Sequence, residues 1–206
     1  MMHISIIGAA GMVGSQIAVE AENRGHDVHR YTRSGRPAGD AATEALDFND
    51  TATVTEVVNG SEVTVVSVAG RGDYDGVVAA HRNLIAAQPS GRILVVGGAG
   101  ALRVGDSLLL ESPDFPAEYL TEAKAFARVL EEYSDSADLN WTMIAPSPEI
   151  APGARTGQYL DGGDSPAGGF VSTQDFAVAA VDEAESASHA RRRFSVASAD
   201  EAAARG

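Results

Sequence analysis

The sequence predicts an α/β protein, a doubly wound parallel sheet with helices on both faces in three layers. Short apolar, β-branched runs alternate with segments of helical period from the first residues onward. The fourth and fifth runs, Val63 to Val68 and Ile93 to Val96, are largely apolar, as strands covered on both faces require. A length of 206 residues suits one such domain, spanning 1–206, and leaves little room for a second.

Each element has its own signal. His3-Ile4-Ser5-Ile6-Ile7 reads as a buried strand, and Gly11 to Arg24 as a helix with Val13, Ile17 and Ala21 on one face and Gly25 as its stop. Asp27 to Tyr31 is a second strand and Ala45 to Phe48 a short third, followed by a helix over Thr51 to Val58. Glu62 to Val68 and Arg92 to Val96 are buried strands flanking a helix over Tyr74 to Ala87. Residues 99–117 read as a Pro- and Gly-punctuated loop, Glu118 to Ser134 as an amphipathic helix, and Trp141 to Ala145 as a sixth strand stopped by Pro146 and Pro148. Residues 147–171 are expected to be an irregular loop region on the substrate side. A helix capped by Ser172 or Thr173, a late strand over Arg193 to Val196 and a frayed Ala-rich tail complete the chain.

The formal net charge of −14 repels nucleic acid and disfavours it as a partner. With no cysteine, disulfides, zinc-thiolate sites and thiol nucleophiles are excluded. His3, His26, His29, His81 and His189 show no metal-ligand spacing, so no metal is expected. The opening residues lack the basic and apolar regions of a signal peptide, and no apolar run approaches the roughly 20 residues of a membrane span. A cytoplasmic protein without membrane contact, monomer or homodimer, is the expectation.

Chemistry concentrates in the first strand-to-helix turn, Gly8-Ala9-Ala10-Gly11-Met12-Val13-Gly14. One glycine permits a backbone turn with φ > 0, another lets a pyrophosphate approach, and a third lets the helix pack close to the strand. The helix N-terminus then offers free N–H groups and a positive dipole end to phosphate.

This turn resembles that of the atypical short-chain dehydrogenase/reductase proteins, in their NAD(P)H-binding branch. Val95 to Gly100, Pro113 to Tyr119, Asn140 to Thr142, Arg155 to Gly157 and Arg191 to Phe194 are similar to segments of the NADH-flavin reductase group in that branch. NmrA-like regulators and biliverdin reductase B are more distant resemblances. The resemblance implies a Rossmann-type fold and a nicotinamide cofactor bound by Gly8, Ala10, Gly11, Met12, Val13 and Gly14.

At the end of the second strand, where an NAD site places a carboxylate, the chain reads Tyr31-Thr32-Arg33-Ser34. Arg33 can pair with a 2′-phosphate, Ser34 can add a hydroxyl, and Arg36 is a second candidate. NADP(H) is therefore expected over NAD(H). The resemblance places Asp47, with Phe48, near the adenine; Asp47 could equally cap the following helix or face water. Ser67, Val68, Ala69 and Gly70, Gly97 and Gly98, and Pro146 end the fourth, fifth and sixth strands and are expected along the ribose and nicotinamide.

Typical short-chain reductases use a Tyr-x-x-x-Lys pair, in which the tyrosine donates a proton and the lysine lowers its pKa. Here Tyr119 and Lys124 are five apart, about 140° round a helix. Tyr119 is a weak catalytic candidate and Lys124 reads as a solvated residue. Flavin reduction needs no such acid, because solvent can protonate the product. The sequence thus points to an NAD(P)H-dependent reductase of a flavin or quinone-like small molecule. A non-catalytic NADP sensor and a nucleotide-sugar epimerase or isomerase are the alternatives.

Overall fold

The structure, a computed structural model, describes residues 1–37 and 41–206. The chain begins with β1 (His3–Ile7), α1 (Gly14–Asn23), β2 (Asp27–Thr32), β3 (Glu44–Ala45) and α2 (Thr51–Asn59). It continues through β4 (Val63–Val66), α3 (Tyr74–Ala86) and β5 (Arg92–Val96) to a small hairpin of β6 (Arg103–Val104) and β7 (Ser107–Leu108). Then follow α4 (Leu120–Ser134), β8 (Trp141–Pro146), β9 (Glu149–Ala151), β10 (Tyr159–Gly163), β11 (Phe170–Ser172), α5 (Thr173–Ser186), β12 (Arg193–Ser198) and α6 (Glu201–Arg205).

The main sheet has eight strands in the order β10-β12-β8-β5-β4-β1-β2-β3. Its pairings are parallel except β10 with β12. The chain winds outward from β1 to β3, then returns beside β1 to build β4, β5 and β8. That reversal between β1 and β4 is the switch point of a Rossmann-type sheet, where the carboxyl ends of the strands open a crevice.

Alternation along each buried strand divides the core between two layers. Ile4 and Ile6 of β1, Val63 and Val65 of β4, and Leu94 of β5 pack with Ile17, Ala18 and Ala21 of α1 and with Phe176, Ala180 and Val181 of α5. Ile7, Val66, Ile93 and Val95 face the other way, against α2, α3 and α4. The two faces are thus filled from one strand set, as the continuous apolar runs require.

Several boundaries differ from the sequence reading. The third strand is only Glu44–Ala45, paired with Tyr31 and Thr32, while Leu46 and Phe48 turn into the core beyond it. Residues 147–171, expected to be irregular, contain β9 and β10, and β11 begins at their end. The expected frayed tail is α6, capped by Asp200 and with Ala204 buried. Its backbone is used: Ala154 N–H donates to the Ala204 carbonyl at 2.8 Å. These segments are built by partners far along the chain, which periodicity does not report.

Buried polar groups tie the late segments down. Asp175, fully buried, accepts from Thr156 N–H, Gly157 N–H, the Thr156 hydroxyl and the Ser198 hydroxyl at 2.7–2.9 Å. Arg92 donates to the Glu183 and Ala184 carbonyls at the end of α5 and pairs with the Glu183 carboxylate, which also accepts from His189. Such a buried pair is held by the hydrogen bonds that complete it.

Glu20 on α1 is similarly committed. It pairs with Arg155 at 2.7 Å and Arg24 at 2.8 Å, and Arg24 continues to Asp182 on α5. The Arg155 hydrogen bonds, opposed by burial and joined by those of Arg24, hold the carboxyl at about 2, below its ordinary 4.5. A lowered native pKa stabilises the fold above the unfolded-state pKa and is lost as pH falls through the native one. Glu20→Gln should therefore destabilise the protein by on the order of 2 kcal/mol at neutral pH, the half-exposed Arg155 discounting the larger figure its shift implies. The difference in thermal or urea unfolding should shrink between pH 4.5 and about 2. A pH-independent difference would mean that the carboxylate charge is not what matters.

Candidate nucleotide-binding site

The turn after β1 lies at the switch point. Gly8 has φ +93°, and its N–H and that of Ala9 donate to the Tyr31 carbonyl at 2.9 and 3.1 Å. Ser67 N–H donates to the Ile7 carbonyl at 2.8 Å, which carries the β4 end up to the turn. A Cβ at Gly8 would lie 2.1 Å from the Ser67 carbonyl oxygen, and one at Gly14 would lie 2.4 Å from that of Gly8. These two glycines are demanded by the crossing itself. Gly11 is different: a Cβ there would meet only the Gly8 carbonyl oxygen, at 3.2 Å.

Among the described residues, the N–H groups of Ala10, Met12 and Val13 donate no hydrogen bond. No side chain caps α1, and its first turn holds no acidic residue. Helices α2, α3, α5 and α6 are capped by Asp50, Asp73, Ser172 and Asp200, and α4 carries Glu122 in its first turn. Only α1, among the described residues, presents its positive end bare. The N–H groups of Ala10, Met12 and Val13 are thus the ones that could hold the phosphates of a nicotinamide dinucleotide.

Beside the turn, Arg33 and Ser34 are exposed at the end of β2. Within the described residues the side chains of Arg33, Arg36 and Arg71 make no hydrogen bond or ion pair, whereas the other arginines each make one. Asp47 accepts from the Asn49 backbone and side-chain N–H groups, which, with the charge of Arg33 as a smaller cause, lower its pKa. Asp47 therefore shapes the turn before α2, while Asp50 is the cap. The Phe48 side chain is buried edge-on to His81, so only its backbone can serve the crevice. His81 is buried and its pKa is pushed down to about 3, which keeps it neutral.

Ser67 to Gly70 continue from β4, and Gly97 N–H donates to the Ile144 carbonyl at 2.9 Å, bringing the ends of β5 and β8 level. Gly98 is extended and has open space: a Cβ there meets only the Phe126 side chain, at 3.9 Å. Pro146 is buried as the last residue of β8. Arg71 went unnoticed in the sequence; its signal is the Gly70-Arg71-Gly72 triplet after β4, where Arg71 itself has φ +46°. Tyr119 is 58% exposed in a short turn before α4. Lys124 is exposed and lines a groove of about 320 Å³ with Asp73, Asp75 and Arg128 that does not include Tyr119 or the glycine turn. Among the described residues, no side-chain hydrogen bond joins Tyr119 and Lys124.

A switch-point glycine turn, an uncapped helix end and a parallel sheet define a dinucleotide-binding protein of the Rossmann class. The chain belongs to the NAD(P)H-binding family, whose model matches residues 8–187. It is 32% identical to the uncharacterized protein YwnB of Bacillus subtilis (strain 168), across 96% of this chain and 99% of YwnB. Among solved structures it matches a Burkholderia pseudomallei protein thought to be exported, at 32% identity and TM-score 0.86, covering 96% of this chain and 100% of that one. A Streptococcus pneumoniae TIGR4 protein thought to be an NADH-flavin reductase matches at 28% identity and TM-score 0.84, with the same coverage. The chain thus has an NAD(P)H-binding fold of the oxidoreductase type, in the atypical short-chain branch its glycine turn resembles. Among the described residues no helix is long and apolar enough to cross a membrane.

The packing difference between the glycines is measurable. Gly14→Ala should cost about 1–3 kcal/mol of stability, because its Cβ would press on the Gly8 carbonyl oxygen at 2.4 Å. Gly11→Ala should cost less than about 1 kcal/mol. Equal losses in urea denaturation would show that the turn is not the constraint drawn here.

Proposed function

We propose that this chain is an NADP(H)-dependent reductase, located in the cytoplasm, that passes hydride to a flavin or quinone-like acceptor. The observation that carries the proposal is a bare phosphate cradle at the switch point with no tyrosine–lysine acid beside it. When bound, the nicotinamide supplies the hydride. Ala10 to Val13 and the α1 dipole hold the pyrophosphate, and Gly11 keeps the approach open. Arg33, with Ser34 and Arg36 near it, takes the 2′-phosphate in place of the carboxylate an NAD site would use. The ends of β4, β5 and β8 orient the nicotinamide; Gly98 leaves the space for a flat second ring. Stacking two rings is a positioning task, and solvent protonates the reduced acceptor. With a net charge of −14, nucleic acid is no partner in this reading.

Arg33→Ala should raise the Kd for NADPH by about tenfold or more, about 1.4 kcal/mol per decade, and leave that for NADH nearly unchanged. Calorimetry with both nucleotides decides this; an equal effect on the two would sink the 2′-phosphate assignment.

Turnover is read from NADPH oxidation with free FMN. Lys124→Ala should keep most of the rate, whereas loss of a true proton-transfer lysine would cost a factor of ~10²–10⁴. Gly98→Leu should fold, since its backbone is extended and unobstructed, and should abolish turnover while NADPH still binds. Tight NADPH binding by the wild type without oxidation by any flavin or quinone would favour the sensor instead.

A further inference from the structure

Parallel pairing of β1 and β2 sets His3 opposite Asp27 and Ser5 opposite His29. Residues two apart on a strand share a face, so His29 lies beside His3 and Asp27, which open β1 and β2 at their amino ends. This is the end of the sheet remote from the glycine turn. The His3 Nδ1 lies 3.4 Å from Asp27 Oδ2, and the His29 Nε2 lies 3.9 Å from the same oxygen. All three donor atoms fall within 4.8 Å of one another. Behind His29, its Nδ1 faces Glu44 Oε1 at 3.9 Å.

We propose that His3, Asp27 and His29 form a binding site for a divalent transition-metal ion of the zinc type. Bonds of about 2.0–2.2 Å to nitrogen and carboxylate oxygen, in tetrahedral array, put neighbouring donors about 3.4 Å apart, close to the spacing found here. Two imidazoles with one carboxylate suit zinc, cobalt or nickel, whereas magnesium and calcium take oxygen donors. Glu44, 3.9 Å from the other ring nitrogen of His29, would accept its N–H once the ring turns toward the ion, as a carboxylate does behind a ligating histidine. Among the described residues, the ionic partners of Asp27 and Glu44 are these histidines, with no arginine or lysine, so neutral imidazoles leave two negative charges for a dication to balance.

The His3 and His29 rings stack at 4.5 Å, with their planes 25° apart, so one ring must turn for both nitrogens to point at a shared ion. His29 is free to do this, its side chain being 40% exposed. Water completes the coordination on the open side. The ion clamps β1 to β2 and has no contact with the nucleotide crevice, so it stabilises the fold by mass action instead of taking part in hydride transfer.

The test is calorimetric titration of ZnCl2 into tag-free, full-length protein, with thermal unfolding in parallel. One zinc per chain and a raised Tm are expected. His29→Gln and Asp27→Asn should each weaken zinc binding by at least about tenfold, while both keep wild-type affinity for NADPH, which also reports that they are folded. His26→Gln and His189→Gln should bind zinc normally. In the unmodified protein, zinc should shift the ring C–H proton resonances of His3 and His29 and leave those of His26 and His189 in place. Absence of zinc binding, or resonance shifts and affinity losses that track His26 or His189, would overturn the site.

Discussion

The crossing of the β1–α1 turn over the end of β4 is the constraint on which this molecule depends. There the Ser67 carbonyl fills the space a Gly8 side chain would take, and the Gly8 carbonyl fills that of Gly14. No other residue fits either place without moving a strand end. The close crossing brings β1, β2 and β4 to one level and opens the crevice above them. It also places the unbonded N–H groups of Ala10, Met12 and Val13 just ahead of α1, at that end of the sheet. Gly11 is held less tightly, since a Cβ there would meet the Gly8 carbonyl oxygen at 3.2 Å.

Charge is distributed by the same logic. The chain is strongly acidic, and most of its arginines are spent on structure: Arg24 and Arg155 on Glu20, Arg92 on Glu183, Arg193 on Asp164. Arg33, Arg36 and Arg71, near the carboxyl ends of β2 and β4, make no side-chain bond within the described residues. In a strongly acidic protein, they are arginines whose charge no acidic side chain among the described residues pairs with. Toward the opposite end of the sheet, His3, Asp27 and His29, with Glu44 reaching toward His29 from β3, offer the complementary preference, for a cation.

The segment after β8 adds buried polar contacts to the apolar layer that α5 and β12 build against the sheet. Asp175 gathers the 156–157 backbone and Ser198, Arg193 holds the loop at Asp164, and α6 seats its end against Ala154. Each contact places a buried polar group with its partner, which fixes one geometry because any other would leave that group unsatisfied. The segment after β8 is therefore built on α5 and β12 and is shaped by them.

What the amino-acid sequence determined by itself is local. The glycine turn, the strand-helix alternation, a helix cap at Ser172 or Thr173, the missing carboxylate after β2 and the five-residue spacing of Tyr119 and Lys124 are read within a few residues, because backbone torsion and amphipathic period act at that range. Tertiary structure decided whatever joins residues far apart. Asp47 shapes a turn while Asp50 caps, Phe48 turns into the core, the tail becomes a helix, and histidines with no ligand spacing along the chain meet across the β1–β2 register. Strand register is chosen by the burial of both sheet faces together, and that is a property of the closed fold that no single segment carries.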